Sequence, residues 1–490
     1  MTAWRQASRM ITAALVLFVG AGARLGATSD EKSAAAVDEV FSDLTKPGSP
    51  GCALAVYREG KIIYAKGYGL ANIEDKVAIT PQTVFDIGST SKQFTAASVL
   101  LLEEQGKLSL NDDIRKYVPE LPAYGQKITI LQLLNHTSGL RDYLTLMELA
   151  GINIDNVTTD ADALALITRQ KALNFTPGSD WLYSNTGFFL LSVVVQRASA
   201  QSLREFAAKN IFAPLAMTHT QYRDSHTALI AGRALAYDEK ENKLGYALNV
   251  SYFEQTGDGA VHTSVEDLLK WDENFYSPRV GGKVLLSEIQ EPGKLNGGKL
   301  LDYAKGLFVQ NYRGLHTVNH GGAWGGYRAE LLRFPDQHFS VACLCNVGNA
   351  GPSRRAHQVA DVYLGNLMEP KENKSKEAEN KEKKEIALSA EELREFSGEY
   401  WSEELAVVYR LGVVEGKIRI LSISGASGSP RTNTFATDVL RPTGTGELAA
   451  GKSGITLHFH GDPQQPGFSF TLDAGRTKGI VFQRKRSTGS

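Results

Sequence analysis

Residues 371–385 divide the chain in two. The run is almost wholly Lys, Glu and Asn and holds no apolar side chain larger than Ala378. Such a stretch has nothing to bury and is expected as a solvated linker or an exposed helix. The expected boundaries are a first unit over 33–367, a charged linker over 368–386 and a small second unit over 387–488.

The two sides carry different patterns. On the N-terminal side, 53–57 and 61–65 alternate as a hairpin around Arg58-Glu59-Gly60. From 99 to about 216 the spacing is mostly helical, with helices expected at 128–134, 161–169 and 187–198. Strand patterns return at 330–334 and 339–345, followed by a last helix at 355–367. Strands at both ends with helices between describe one α/β unit whose sheet closes late. On the C-terminal side, 388–394 reads as a short helix. Short strands with Gly and Pro turns follow at 406–411, 417–422, 438–441, 454–460, 467–472 and 479–483. That pattern predicts a small antiparallel barrel or sandwich of about 100 residues.

Charge and composition exclude some functions. A net charge of −1, with no dense basic patch, gives no nucleic-acid surface. Arg5 and Arg9 precede an apolar stretch at 10–20 that is too short to span a bilayer. Ala21-Gly22-Ala23 offers a cleavage site, and a cut after Ala27 is the alternative. Residues 1–27 thus read as a secretory signal, with a periplasmic or secreted product and no stable membrane anchor after cleavage. No cysteine follows the apolar stretch closely, which argues against a lipid anchor.

The chemistry lies in Ser89-Thr90-Ser91-Lys92. A β-prone segment at 83–87 leads into it. Phe94, Ala97, Leu101 and Leu102 then form the apolar face of a helix that Gly106 stops. A serine and a lysine three apart on a first helical turn face the same way. The amine can take the hydroxyl proton and make a nucleophile of a weak group. Unpaired N–H groups at a helix start favour an oxyanion nearby. A second copy of the spacing, Ser29-Asp30-Glu31-Lys32, has neither strand nor helix start and is set aside. Tyr183-Ser184-Asn185 and His320-Gly321-Gly322 follow in chain order.

Together with Phe85-Asp86-Ile87-Gly88 before the serine, Leu133-Leu134-Asn135-His136-Thr137-Ser138-Gly139-Leu140, Gly257-Asp258-Gly259 and His320-Gly321-Gly322-Ala323-Trp324-Gly325-Gly326, these motifs resemble the serine β-lactamase and penicillin-binding-protein superfamily. The similarity is to its class C β-lactamase, DD-peptidase and D-aminopeptidase-like branch. The C-terminal segment resembles the lipocalin-like domain appended to some members. The resemblance implies an α/β fold: an antiparallel sheet flanked by helices, a helical subdomain, and then a small all-β barrel-like domain. It implies Ser89 as the acylated nucleophile, Lys92 as its activator and Tyr183 as the proton relay. Asn185 would hold the substrate's amide carbonyl. The N–H groups of Ser89 and Ala323, beside His320 and Gly322, would form the oxyanion and substrate wall. Free tyrosine has a pKa of about 10. Nearby cations, Lys92 first, are expected to lower that of Tyr183.

Where class C β-lactamases carry Lys-Thr-Gly, this chain has His320-Gly321-Gly322. A near-neutral histidine supplies no fixed cation for a substrate carboxylate, and Gly321 removes a hydroxyl. The implied activity is hydrolysis of an amide or ester through a serine ester, on D-amino-acid peptides or cell-wall fragments. A carboxylesterase, a true β-lactamase and a non-hydrolysing penicillin or peptidoglycan sensor are the alternatives. No metal or organic cofactor is implied. The partner is a small peptide, ester or β-lactam substrate, and self-assembly would use the C-terminal domain. His316 and His320 are four apart in strand-like rather than helical sequence, which argues against zinc. His136 reads as structural. Cys343 and Cys345 share one face of a strand. In the implied fold the first and last strands are neighbours, so Cys52 can approach one of them in an oxidising compartment. Buried free thiols are the expectation.

Overall fold

The computed structural model describes residues 29–153, 155–371, 386 and 388–485. The secretory-signal reading, and nearly all of the 371–385 run, lie outside the described residues.

The first unit is built on a seven-stranded antiparallel sheet. Its strands run in the order Tyr303–Ala304, Leu307–Tyr312, Leu315–Trp324, Tyr327–Phe334, Phe339–Cys345, Cys52–Arg58 and Lys61–Tyr68. The N-terminal hairpin therefore pairs with the last strand, Ala53 opposite Leu344, and the sheet closes late, as the pattern predicted. Cys52–Arg58 is buried along almost its whole length because both sheet faces are covered. Ala53, Ala55 and Tyr57 face the core shared with the helical subdomain. Leu54 and Val56 face the other, under the helix Pro352–Leu364. This is the period-two alternation of a strand. Truncating Leu54 to alanine would cost about 2–5 kcal/mol.

The helical subdomain centres on Asn185–Ser199, buried from its first residue through Val195. It packs on Lys92–Glu104 and Ile130–Leu134. The last of these starts at 130 rather than 128. Thr129 and Gln132 form a reciprocal capping box that fixes the boundary.

The second unit is a closed barrel of eight strands. Six lie where the sequence predicted strands; Gly398–Ser402 and Glu447–Ala450 were not anticipated. The second, Glu-Leu-Ala-Ala, has little β propensity of its own and is held by its neighbours. Tyr400, Tyr409, Leu457, Phe470 and Phe482 are buried, and the rings of Phe470 and Phe482 stack at 4.7 Å.

The barrel is docked by buried polar contacts. Arg141 Nη1 meets Glu404 Oε1 at 2.5 Å, with both side chains under 5% exposed. Arg141 also donates to the carbonyls of Lys478 and Gly479, each at 2.9 Å. Glu404 accepts the Lys171 N–H at 2.8 Å, and Tyr409 donates to the Leu149 carbonyl at 2.6 Å. Removing one partner of such a pair leaves a buried charge unmatched.

The cysteines depart from expectation. Cys52 and Cys345 sit opposite each other in register and form a disulfide. Cys343 alone remains a buried thiol. Free Cys is a good core residue, but strand pairing places these two sulfurs face to face, which composition does not reveal.

Candidate active site

The site begins at a turn. The strand expected over 83–87 is only Phe85–Asp86. Asp86 Oδ1 accepts the Gly88 N–H at 2.8 Å, and Gly88 adopts φ +47°, which turns the chain into a 3-10 segment, Gly88–Ser91. The α-helix starts at Lys92, not Ser89. The effect on the motif is small, because residues three apart eclipse in a 3-10 turn. Lys92 Nζ donates to Ser89 Oγ at 3.0 Å, to Asn185 Oδ1 at 3.0 Å and to the Asp258 carbonyl at 2.5 Å.

The strand Leu315–Trp324 forms the facing wall. Its neighbour Leu307–Tyr312 pairs only as far as Asn319, while the other neighbour pairs on to Trp324. The edge from His320 to Trp324 is thus left for the nucleophile turn. Thr90 Oγ1 donates to the His320 carbonyl at 3.0 Å. The approach is backbone on backbone. A Cβ on Gly322 would lie 1.8 Å from the Ile87 carbonyl oxygen, and one on Gly88 would lie 2.6 Å from Ala323 N. Only glycines permit it. Ser89 and Ala323 are brought side by side as a result.

Burial sets the protonation states. Lys92 is fully buried, which pushes its pKa well below the ordinary lysine value, against the opposing pull of Asp258 and Asp142. Asp258 is itself pushed up by burial, and it accepts the Tyr143 hydroxyl at 2.9 Å. Tyr183 reverses the sequence-based expectation. Burial holds its phenol above the ordinary range; the Ser89 hydroxyl and the Arg476 charge pull only part of the way back. The Tyr183 oxygen is buried without a closed hydrogen bond among the described residues. Its ring lies 4.9 Å from Lys92 Nζ and 5.1 Å from the Arg476 guanidinium.

Donor accounting fixes the two histidines. The Ser184 N–H donates to His136 Nδ1 at 3.2 Å, so the proton of His136 is on Nε2, 3.0 Å from the Tyr303 hydroxyl. The Tyr303 hydroxyl, having accepted, donates to His320 Nε2 at 3.3 Å. His320 then donates from Nδ1 to the Gly321 carbonyl at 2.6 Å. Both rings are neutral in this chain. Burial lowers the His320 pKa to about 3, and the Lys92 charge works in the same direction. His136 is thus a buried link beneath the site. His316 and His320 lie roughly 13 Å apart along one strand, too far to share a metal.

All seven residues singled out from the sequence, Ser89, Lys92, Tyr183, Asn185, His320, Gly322 and Ala323, meet at one place. Six of them line a cavity of about 510 Å³, with Lys92 beneath it, a size suited to a small ligand. Leu144, Phe253 and Trp324 give the cavity an apolar wall. Four further residues shape it. Asp142 Oδ2 accepts the Asn185 N–H at 2.7 Å; Asp258 anchors Lys92; Tyr303 locks His320; Arg476 enters from the barrel. Asp258 lies in a Gly257-Asp258-Gly259 turn that was a usable signal. Tyr303 and Arg476 carry no local motif.

Comparison with known proteins agrees with this geometry. The Beta-lactamase family model matches residues 37–364. Penicillin-binding protein 4* of Bacillus subtilis (strain 168) is 30% identical over 303 residues, 59% of this chain and 66% of that protein. The match therefore spans less than two thirds of that relative's length. Among solved structures, the octameric penicillin-binding protein homologue from Pyrococcus abyssi superposes with a TM-score of 0.60 at 23% identity, over 92% of this chain and 99% of its own. D-amino acid amidase from Ochrobactrum anthropi SV3 gives a TM-score of 0.59 at 22% identity, over 69% of this chain and 99% of that one.

Proposed function

The chain belongs to the beta-lactamase family, a family of hydrolases, and we propose that within it this protein is a serine acyl-transfer hydrolase acting on D-amino-acid peptides or cell-wall fragments. One observation carries the reading. The buried Lys92 amine is hydrogen-bonded to Ser89 Oγ at 3.0 Å, in a ligand-sized cavity that the Ser89 hydroxyl shares with the buried Tyr183 phenol.

In this mechanism the neutral form of Lys92, favoured by desolvation, takes the Ser89 proton as Oγ attacks the carbonyl carbon. The oxyanion forms between the N–H groups of Ser89 and Ala323, where losing one such donor typically costs about 10²–10³ in rate. Asn185 orients the substrate amide. Tyr183 stays un-ionised and gives its proton to the departing nitrogen or oxygen, and the Lys92 ammonium restores it. Water then cleaves the Ser89 ester along the same route in reverse.

The substrate class is supported by the names of the similar proteins, one an amidase of D-amino acids and two penicillin-binding. A neutral His320 weighs against efficient β-lactam turnover. The apolar wall favours the ester reading as the second choice, because it would accept a hydrophobic acyl or leaving group. The Cys52–Cys345 disulfide supports a periplasmic or secreted location. Among the described residues, no helix is long and apolar enough to cross a membrane.

The test is kcat/KM on a D-amino-acid amide, a short-chain ester and a chromogenic cephalosporin, with Ser89→Ala alongside. The amide or the ester should outrun the cephalosporin, and all three should be lost in the variant. Turnover retained by folded Ser89→Ala would remove the assignment.

A further inference from the structure

The third motif supplies no cation to the cavity, and a charged group reaches it from the other domain. The barrel strands Ser469–Ala474 and Thr477–Arg484 are joined by a tight turn, with Gly475 at φ +48°. Arg476 stands at that turn. Its backbone is pinned to the first unit. Asn174 Nδ2 donates to the Arg476 carbonyl at 2.9 Å, and the N–H of Lys478, two residues on, donates back to Asn174 Oδ1 at 2.9 Å.

The side chain is far less committed. Among the described residues it makes one side-chain hydrogen bond, Nη1 to Asp142 Oδ2 at 3.4 Å, and it is 42% exposed. A guanidinium has five N–H donors, so most of them remain for a ligand. Asp142 is in turn shared, since its Oδ2 already accepts the Asn185 N–H at 2.7 Å. The other arginines of the cavity are anchored to backbone carbonyls, although Arg223 Nε is buried without a partner among the described residues. Arg223 Nη2 donates to the Ser251 carbonyl at 2.9 Å. Arg328 Nη1 donates to the carbonyls of Gly325 and Tyr327, each at 2.6 Å. Lys92 is used up beneath Ser89.

We propose that Arg476 receives a substrate carboxylate beside Ser89, so that the β-barrel completes the pocket for acyl donors carrying an anionic group. The inference rests on the serine acyl-transfer reading. Arginine suits the task because its planar fork matches a carboxylate with two parallel hydrogen bonds. Its charge is also felt at Tyr183 and Lys92, so an arriving carboxylate is bound where the proton transfers take place.

The experiment uses the full chain and two nearly isosteric N-acetyl-D-alanyl aryl esters. One has a 3-hydroxybenzoate leaving group, the other 3-hydroxybenzamide. The ratio of their kcat/KM values isolates the charge from any general effect on the site. Wild type should prefer the carboxylate ester by about 10- to 100-fold, the scale of a hydrogen bond to a charged group. Arg476→Gln should bring the ratio close to one, and Arg476→Lys should restore part of it. A wild-type ratio near one, or a preference that survives Arg476→Gln, overturns the proposal. A second measurement does not depend on turnover: calorimetric binding of the same two esters, the acid against the amide, to Ser89→Ala protein. Preference for the acid that vanishes on adding Arg476→Gln supports the proposal; no preference overturns it. Failure of the serine reading looks different, as hydrolysis of both esters by Ser89→Ala.

Discussion

Two turns meet at the same cavity and are held in opposite ways. Gly88–Ser91 is locked by backbone. Glycines at 88 and 322 let two main chains touch, Thr90 ties the turn to the His320 carbonyl, and Lys92 is fixed by three acceptors. The turn at Arg476 is locked only at its base, by Asn174, and presents a long side chain that is 42% exposed. The first turn has the rigidity that bond-making needs, since errors of about 1 Å in reacting groups can cost 10²-fold. The second has the reach that recognition needs. The nucleophile and the Arg476 guanidinium thus come from separate units, joined by a buried ion pair.

The sharpest way to break this comparison is at Ser89. Ser89→Ala should lower kcat by about 10⁴–10⁶-fold, the scale for loss of a catalytic nucleophile, while circular dichroism and melting stay unchanged. Next comes the joint between the units. Glu404→Ala strips the partner from buried Arg141 and should cost about 3–5 kcal/mol in denaturant unfolding. If the barrel unfolds separately, the loss should appear as an earlier transition. Gly322→Ala pushes the strand away from Ile87 and should lower kcat/KM about 10²-fold on charged and neutral esters alike. That uniform loss contrasts with the charge-selective loss expected at Arg476. The smallest effect is on pH. The reactive amine must be neutral, and burial depresses its pKa well below 10.5. Acylation should therefore fall about tenfold per pH unit below that depressed pKa and level off above it. An acid limb only near the ordinary lysine value would mean that Lys92 is not desolvated in solution.

How far these features could be read in advance follows from how they are built. Ser89 and Lys92 were legible because three residues of chain hold their spacing. The late closing of the sheet was legible because 53–57 and 339–345 run apolar and pair as neighbours, whereas Tyr303–Ala304 and Leu307–Tyr312 were not anticipated. Asn185, Gly322 and Ala323 were legible through short motifs. The direction of the Tyr183 shift was not, because it depends on how completely the His136, Tyr303 and Phe188 side chains bury the site, and burial is a sum over distant residues. The disulfide was hidden for a similar reason: Cys52 and Cys345 meet only once two strands far apart in sequence fall into register. Arg476 was the least legible. It sits in an ordinary hairpin turn whose meaning depends on where a second domain docks.

The most direct test of the central claim is acid-quenched peptide-mapping mass spectrometry of the full chain, taken milliseconds to seconds after mixing with an activated D-amino-acid ester. The account predicts one acyl group on the peptide containing Ser89, formed faster than steady-state turnover permits its loss, and none in Ser89→Ala. An acyl group on a different residue, or steady product release with Ser89 replaced, would contradict it.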